Sequence, residues 1–451
     1  MVNVAEAELV EGIRETPTEP PEIEGDFSPR KIKIAAGVLI GQSFATSILP
    51  FSAMSILLIP LTKEFGWSRT EFSFASTFIF FFGAVSLWPI GRMADKIGVR
   101  PVILIGTTVV GLITLAMSLQ TKSLPQLYFY YAILGIFGST GVAYMKIIAA
   151  LFTQNRGKAM AILGAESSVA LALIPLATNA LILNYGWRNM YLAFGIVILC
   201  VVPILFFTLE EPGRTGTAGK FSWMRGRKGE DVAPAPPPPE LEGMTIRQAL
   251  GDWVFWLVTL AGLAGMAAFV GMLTHMVAAL IGKGFSQTTA VSIGSLSLMV
   301  GIAGTLVGGF AVDRFHTAKV AIPFGLASAL GALMLMHVTS TSGGVPMLIV
   351  ASALGGFAFS AARPMGTYFQ TRYFGLKSFT EISAVQFTIS NPVTAFAAPV
   401  IGAIYDRTHS YQIAFILMMI APLIGVVVWL VLPKYRYAAN IGQAATPRVA
   451  G

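Results

Sequence analysis

The chain has 451 residues, of which 55% are hydrophobic and only 12% charged, with a formal net charge of +8. A soluble chain of this length carries roughly twice that charged fraction, so the composition excludes a soluble globular protein and indicates one that crosses a membrane many times. A single cysteine, Cys200, excludes an internal disulfide, and the histidines His275, His316, His337 and His409 show no metal-ligand spacing.

Residues 1–30 carry eight acids, several prolines and few large apolar side chains, which predicts a disordered tail without a signal-peptide core. Twelve apolar spans follow, at 33–61, 70–92, 101–119, 125–153, 157–183, 188–209, 251–281, 288–312, 318–338, 345–372, 378–405 and 410–432. Each is long enough to cross roughly 30 Å of hydrocarbon. The runs are continuous rather than alternating, which predicts helices and not a barrel. Between spans six and seven, the basic FSWMRGRKGED and the proline run APAPPPPE suit an extended, solvated linker. The expected organisation is a tail at 1–30, a six-helix bundle at 31–210, a linker at 211–247, a second six-helix bundle at 248–436 and a tail at 437–451. With both termini cytoplasmic, the cytoplasmic segments hold 22 of the lysines and arginines and the outer loops six. That excess assigns the orientation, in an inner or plasma membrane, and explains the positive charge without nucleic acid. No HExxH, GxSxG or phosphate-loop pattern occurs. The sequence therefore points away from an enzyme or an ATP-driven pump, and to no cofactor or metal.

Two stretches after the second span of each half repeat. GRMADKIGVRP places Gly91 before Asp95 and Lys96, and GGFAVDRFHTAK places Gly309 before Asp313 and Arg314 at the same spacing. The glycine permits close helix packing, and the charges at the membrane edge suit contacts that hold one conformation until broken. The first stretch resembles the signature loop of the major facilitator superfamily, G-x-x-x-D-[RK]-x-G-x-[RK], matching at Gly91, Asp95, Lys96, Gly98 and Arg100. The second matches only at Gly309, Asp313 and Arg314. The resemblance implies an all-α membrane protein of twelve transmembrane helices in two pseudo-symmetric six-helix bundles, with a midplane site and alternating access. PLTKEFGWSRTEFS, LFTQNRGKAMAILGAESS, NYGWRNMYLAFG and IGAIYDRTHSYQIAF further resemble the monocarboxylate-transporter-like branch, which includes oxalate and formate exchangers. That branch often keeps a basic residue in span eight and sometimes in span eleven. Neither is present here, so the anion-binding cation lies elsewhere or the substrate differs.

Four ionisable residues lie well inside spans: Lys146, Glu166, His275 and Arg363. All fall on spans that the resemblance implies line a central cavity, and intramembrane charge marks function by default. Lys146 and Glu166 each lie ten residues from Arg156, so they share a depth of roughly 15 Å on adjacent antiparallel helices. They either neutralise each other structurally, or Glu166 takes a proton and frees Lys146 for an anion. Arg363 has no acid at its depth in spans ten or eleven; its planar fork suits a carboxylate, or else it snorkels or bonds to carbonyls such as the one Pro364 frees. Ser360 and Thr367 extend its face, and Ser383, Gln386, Ser390 and Thr394 form a helical stripe beside Asn391. Gln42, Tyr144 and Tyr368 add polar groups. Each of these also suits an ordinary interhelical hydrogen bond.

The expected function is secondary active transport of a small organic anion, a monocarboxylate or aromatic acid, coupled to protons. Substrate binding is expected from Arg363, Lys146, Gln386, Asn391, Ser360, Tyr144, Tyr368 and Gln42. Glu166 and His275 are the proton-coupling candidates, although a satisfied interior histidine also explains His275. Gating is expected from Gly91, Asp95, Lys96, Arg100, Gly309, Asp313 and Arg314. The partners expected are the anion, protons and the lipid bilayer. A proton-driven drug or metabolite exporter, or a membrane sensor of the same fold, are the competing readings.

Overall fold

The computed structural model describes residues 28–44, 48–152, 156–210, 242–341 and 344–437. Residues 1–27 of the tail expected at 1–30, 438–451 of the tail expected at 437–451, and 211–241 of the linker lie outside the described residues. Span one is Pro29–Phe65, made of the helical segments Pro29–Phe44, Ile48–Ser52 and Met54–Phe65. Span two is Arg69–Lys96, span three Val99–Met117, and span four the pair Leu124–Gly138 and Gly141–Leu151. Spans five and six are one helical run, Arg156–Thr208, broken at Gly186, whose φ of 80° suits only a residue without a side chain. A short helix, Ile246–Leu250, precedes span seven, Trp253–Gly282. Spans eight to twelve are Gln287–Phe315, Ala318–His337, Gly344–Phe374, Phe379–Thr408 and Gln412–Val431. The hydropathy pattern sets out spans one and four as unbroken. Among the described residues span one turns at Ala53, and in span four Gly138 and Gly141 flank the break, where helix propensity is poor.

The helix starts are written locally. Ser68 accepts from Glu71 N–H while Glu71 accepts from Ser68 N–H, a capping box at span two. Asp252 caps span seven through Val254 N–H, and Ser286 caps span eight through Thr289 N–H. Arg30 reaches Glu210 at 2.6 Å, Arg436 pairs with Asp252, and Met244 N–H donates to Phe374 O at 2.7 Å. These contacts gather the ends of spans one, six, seven, ten and twelve on one face, here called the terminal face. The opposite one is the far face.

The two halves repeat residue by residue. Ser68, Gly83, Gly91 and Asp95 have counterparts Ser286, Gly301, Gly309 and Asp313, each 218 residues further on. The packing repeats with them. Gly83 lies against Gly135 of span four, as Gly301 lies against Ser360 and Gly356 of span ten. Gly111 receives Leu199 of span six, as Gly325 receives Val426 of span twelve. Glycine lets these helices approach to backbone contact.

The apolar cores show how the halves meet. One cluster mixes both, joining Leu57, Phe65 and Phe72 to Met272, Tyr411 and Phe415 near the far face. At the terminal face each half has its own: Ile34, Ile90, Ile103 and Leu205 in the first, and Val254, Val312, Phe369 and Val428 in the second. The two six-helix bundles thus share a core at the far face and hold separate cores at the terminal face.

Candidate functional site

Hydrogen bonds between the halves cluster on the far side of the molecule. The Asp406 carboxylate of span eleven caps the start of span two, accepting from Arg69 N–H at 3.1 Å, Thr70 N–H at 2.9 Å and Thr70 Oγ1 at 2.5 Å. The Arg69 guanidinium donates to Tyr411 Oη and lies 3.5 Å over the Tyr405 ring. Gly402 packs where any side chain would strike the Thr70 backbone. Deeper in, the buried His275 of span seven meets Ser73 Oγ and Ala398 O at 3.0 Å, and Tyr411 Oη at 3.1 Å. Thr77 Oγ1 donates to Ala395 O at 2.8 Å, about 12 Å down the helix from Arg69. The equivalent seam joins spans five and eight. There Gln287 and Thr288, the counterparts of Arg69 and Thr70, meet Asn179 at 2.9 and 3.4 Å. The first seam is closed by a carboxylate and the second by a neutral amide.

Towards the terminal face the same helices leave their apolar residues uncovered. Trp88, Leu306, Phe310 and Phe387 are all more than 60% exposed. A Cβ at Gly91 or Gly309 would meet open space, and Lys96, Asp313 and Arg314 are exposed. Arg100 is buried instead. It donates to Phe206 O at 2.6 Å and lies 4.5 Å over the Phe206 ring, tying span three to span six. The Asp95 side chain lies outside the described residues. The arrangement is closed on the far side and open on the terminal side.

Each half carries a polar cluster between its own helices. In the first, Ser43 of span one donates to the Glu166 carboxylate of span five. Beside them, Gly41 is packed against the Tyr144 hydroxyl, and Gln42 lies near Gly141, both in contact with span four. Lys146 lies exposed two residues beyond Tyr144. In the second half, Gln386 donates to Thr259 Oγ1 at 3.0 Å and accepts from Gln370, which also accepts from Ser383 Oγ at 2.8 Å. This chain of amides and hydroxyls ties spans seven, ten and eleven. Asn391 is half-buried on span eleven, and the Arg363 side chain lies outside the described residues, on span ten.

Other expected residues lie elsewhere. Ser360 sits against Gly301 of span eight. Tyr368 belongs to a cluster with Arg372 and Tyr435 at the terminal face. His275 lies in the far seam, fully buried. Sequence reasoning missed Asp406, Asn179, Arg69 and Gln370. A signal existed for Arg69 alone: with Thr70 it stands 218 residues before Gln287 and Thr288, directly after the first of the two capping serines.

A two-bundle helical membrane protein with a seam closed on one side is the architecture of alternating-access carriers. The family model of the Major Facilitator Superfamily matches residues 39–344 and 292–449, and the chain belongs to that superfamily. It is 23% identical over 355 residues to the gallate transporter of Pseudomonas putida, covering 75% of this chain and 76% of the relative. It is 24% identical to a 4-hydroxybenzoate transporter of Pseudomonas aeruginosa, covering 70% and 73%. A bacterial homologue of the human lysosomal transporter Spinster, solved in an inward-facing and occupied conformation, superposes with a TM-score of 0.69 at 15% identity, covering 91% of this chain and 99% of that one. That likeness shows the fold.

Proposed function

We propose that this protein is a secondary transporter that moves a small organic anion, an aromatic acid or other monocarboxylate, together with a proton by alternating access. The lysine and arginine excess supports a cytoplasmic terminal face, and on that orientation the open side faces inward. The observation that carries the reading is the pair of polar groups, Ser43–Glu166 with Tyr144 and Thr259–Gln386–Gln370, set in opposite halves below a closed far seam. Relatives named for gallate and 4-hydroxybenzoate direct the substrate class. Arg363 and Lys146 supply the cations for a carboxylate, and Gln386, Asn391, Gln42 and Tyr144 its polar surroundings. Glu166 is the group that takes the proton. Its carboxylate is already held by a donor from span one, so protonation changes a contact between spans one and five.

The test is uptake of labelled 4-hydroxybenzoate and gallate into proteoliposomes. Acid outside should drive accumulation, a protonophore should abolish it, and Arg363→Gln should remove it. Uptake that ignores the pH gradient overturns the coupling. No uptake of any carboxylate in a screen that includes oxalate, formate and aromatic acids overturns the substrate class.

A further inference from the structure

At the terminal face, away from the opening between the halves, a cavity of about 450 Å³ lies between the loop that joins spans eight and nine and the end of span twelve. Its wall includes His316, Lys319, Arg372, Trp429, Lys434 and Tyr435. Lys319, Lys434 and His316 are exposed at its rim, but Arg372 is only 7% exposed. The Arg372 Nε and Nη1 atoms are buried and have no hydrogen-bond partner among the described residues, and the Tyr435 hydroxyl beside them is in the same condition. Two rings offer the guanidinium its faces, Tyr435 at 5.1 Å and Tyr368 at 5.7 Å. A ring face leaves the in-plane N–H donors unanswered. The nearby Asp252 carboxylate is taken by Arg436.

The pocket is built rather than incidental. Arg436 N–H and Tyr437 N–H both donate to Arg372 O, at 3.2 and 3.1 Å, and Tyr373 Oη donates to Pro433 O at 2.9 Å. These bonds fold the segment after span twelve over Arg372. Burying an unanswered cation costs several kcal/mol, so a fold that pins a wall around one provides for an anion. A guanidinium fork and a hydroxyl donor suit the paired oxygens of a phosphate. Burial keeps the Tyr435 hydroxyl protonated, so it remains a donor. Spans nine and twelve are on the outside of the bundle, and Leu430, on the cavity wall, is 54% exposed. Trp429 marks the depth at which indole rings sit in a bilayer interface.

We propose that this cavity binds the phosphate headgroup of an anionic phospholipid, with Arg372 as its buried anchor and Lys319 and Lys434 at its rim. Free phosphate shares that chemistry, but the exposed apolar flank beside the cavity favours a headgroup with its acyl chains alongside span twelve.

The test is a thermal-shift titration of the purified full-length protein with short-chain phosphatidylglycerol, short-chain phosphatidylcholine and inorganic phosphate. Phosphatidylglycerol should give a saturable rise in melting temperature, and the other two should give little. Arg372→Gln should remove that rise. The double variant Lys319→Gln/Lys434→Gln leaves the buried anchor in place, so it folds, and it should weaken binding about tenfold, as the loss of charge-assisted bonds predicts. It decides the matter if Arg372→Gln does not fold. Equal shifts from both lipids, or a double variant that titrates like the wild type, overturn the proposal. A full shift from inorganic phosphate alone overturns its lipid part.

Discussion

Asp406 makes more hydrogen bonds across the far seam between spans two and eleven than any other side chain there, and replacing it with alanine should tip the protein towards its other conformation. The carboxylate accepts three bonds from the start of span two, and all three cross between the halves. They exist only while the far side is closed. A net hydrogen bond to a charged group contributes about 1.5–3 kcal/mol, and water takes back part of the sum when the seam opens. A loss of about 2–4 kcal/mol follows, which multiplies the far-open to far-closed ratio by roughly thirty to nearly a thousand at 1.4 kcal/mol per tenfold. The Asn179 seam makes a control. It has two neutral bonds, one of them at 3.4 Å, so Asn179→Ala should shift the ratio by about tenfold at most. Spin labels at Lys122→Cys and Ser340→Cys, exposed on far loops of opposite halves, read the separation after Cys200 is replaced by serine. Electron–electron double resonance should show a new, longer distance population in Asp406→Ala and a smaller one in Asn179→Ala. Identical distributions in Asp406→Ala and wild type would refute the argument that this carboxylate holds the seam.

Other outcomes follow from single residues. Glu166→Gln should lose accumulation driven by a pH gradient while keeping substrate exchange; unchanged accumulation in proteoliposomes would leave Glu166 as a packing residue. Burial works against the charge of Asp252, but bonds from Arg436 and from Val254 N–H outweigh it and hold the carboxyl below its usual range. Its contribution is therefore complete above the ordinary carboxylate pKa and is lost as pH falls below about 4; melting temperature against pH should show an acid-side decline that is shallower in Asp252→Asn. A Cβ at Gly304 would collide with Phe357 O in span ten, whereas one at Gly309 meets nothing. Gly304→Ala should then cost about 1–3 kcal/mol and lower the melting temperature, while Gly309→Ala should leave it within error.

The twelve spans were readable because a hydrocarbon slab demands long apolar runs, and the repeat was readable because glycine and aspartate recur at fixed spacing. The interruptions at Ala53 and at Gly138–Gly141 were less so, since hydropathy averages over a break that costs no apolar residues. The seam contacts had no local signal at all. Asp406 and Thr70 are 336 residues apart, and an aspartate near a helix end reads as a loop charge until the other half is placed against it. Arg372 is the same case in reverse: counted along the chain it is one more positive residue at the end of a span, and only the fold shows it buried beneath the segment after span twelve. Gln370 continues the face of Ser360, Arg363 and Thr367 at helical spacing, but its role shows only when span eleven brings Gln386 and Ser383 against it.

The constant interval of 218 residues also works as a ruler. From the capping serine to the signature aspartate each of spans two and eight measures the same length, about 40 Å at 1.5 Å per residue. One inserted residue would rotate everything beyond it by about 100° and turn the glycine face away from its partner helix. The two helices are therefore matched lever arms. Each is gripped at one end by the opposite half and left free at the other, so a small displacement at the grip is delivered to both free ends with equal reach.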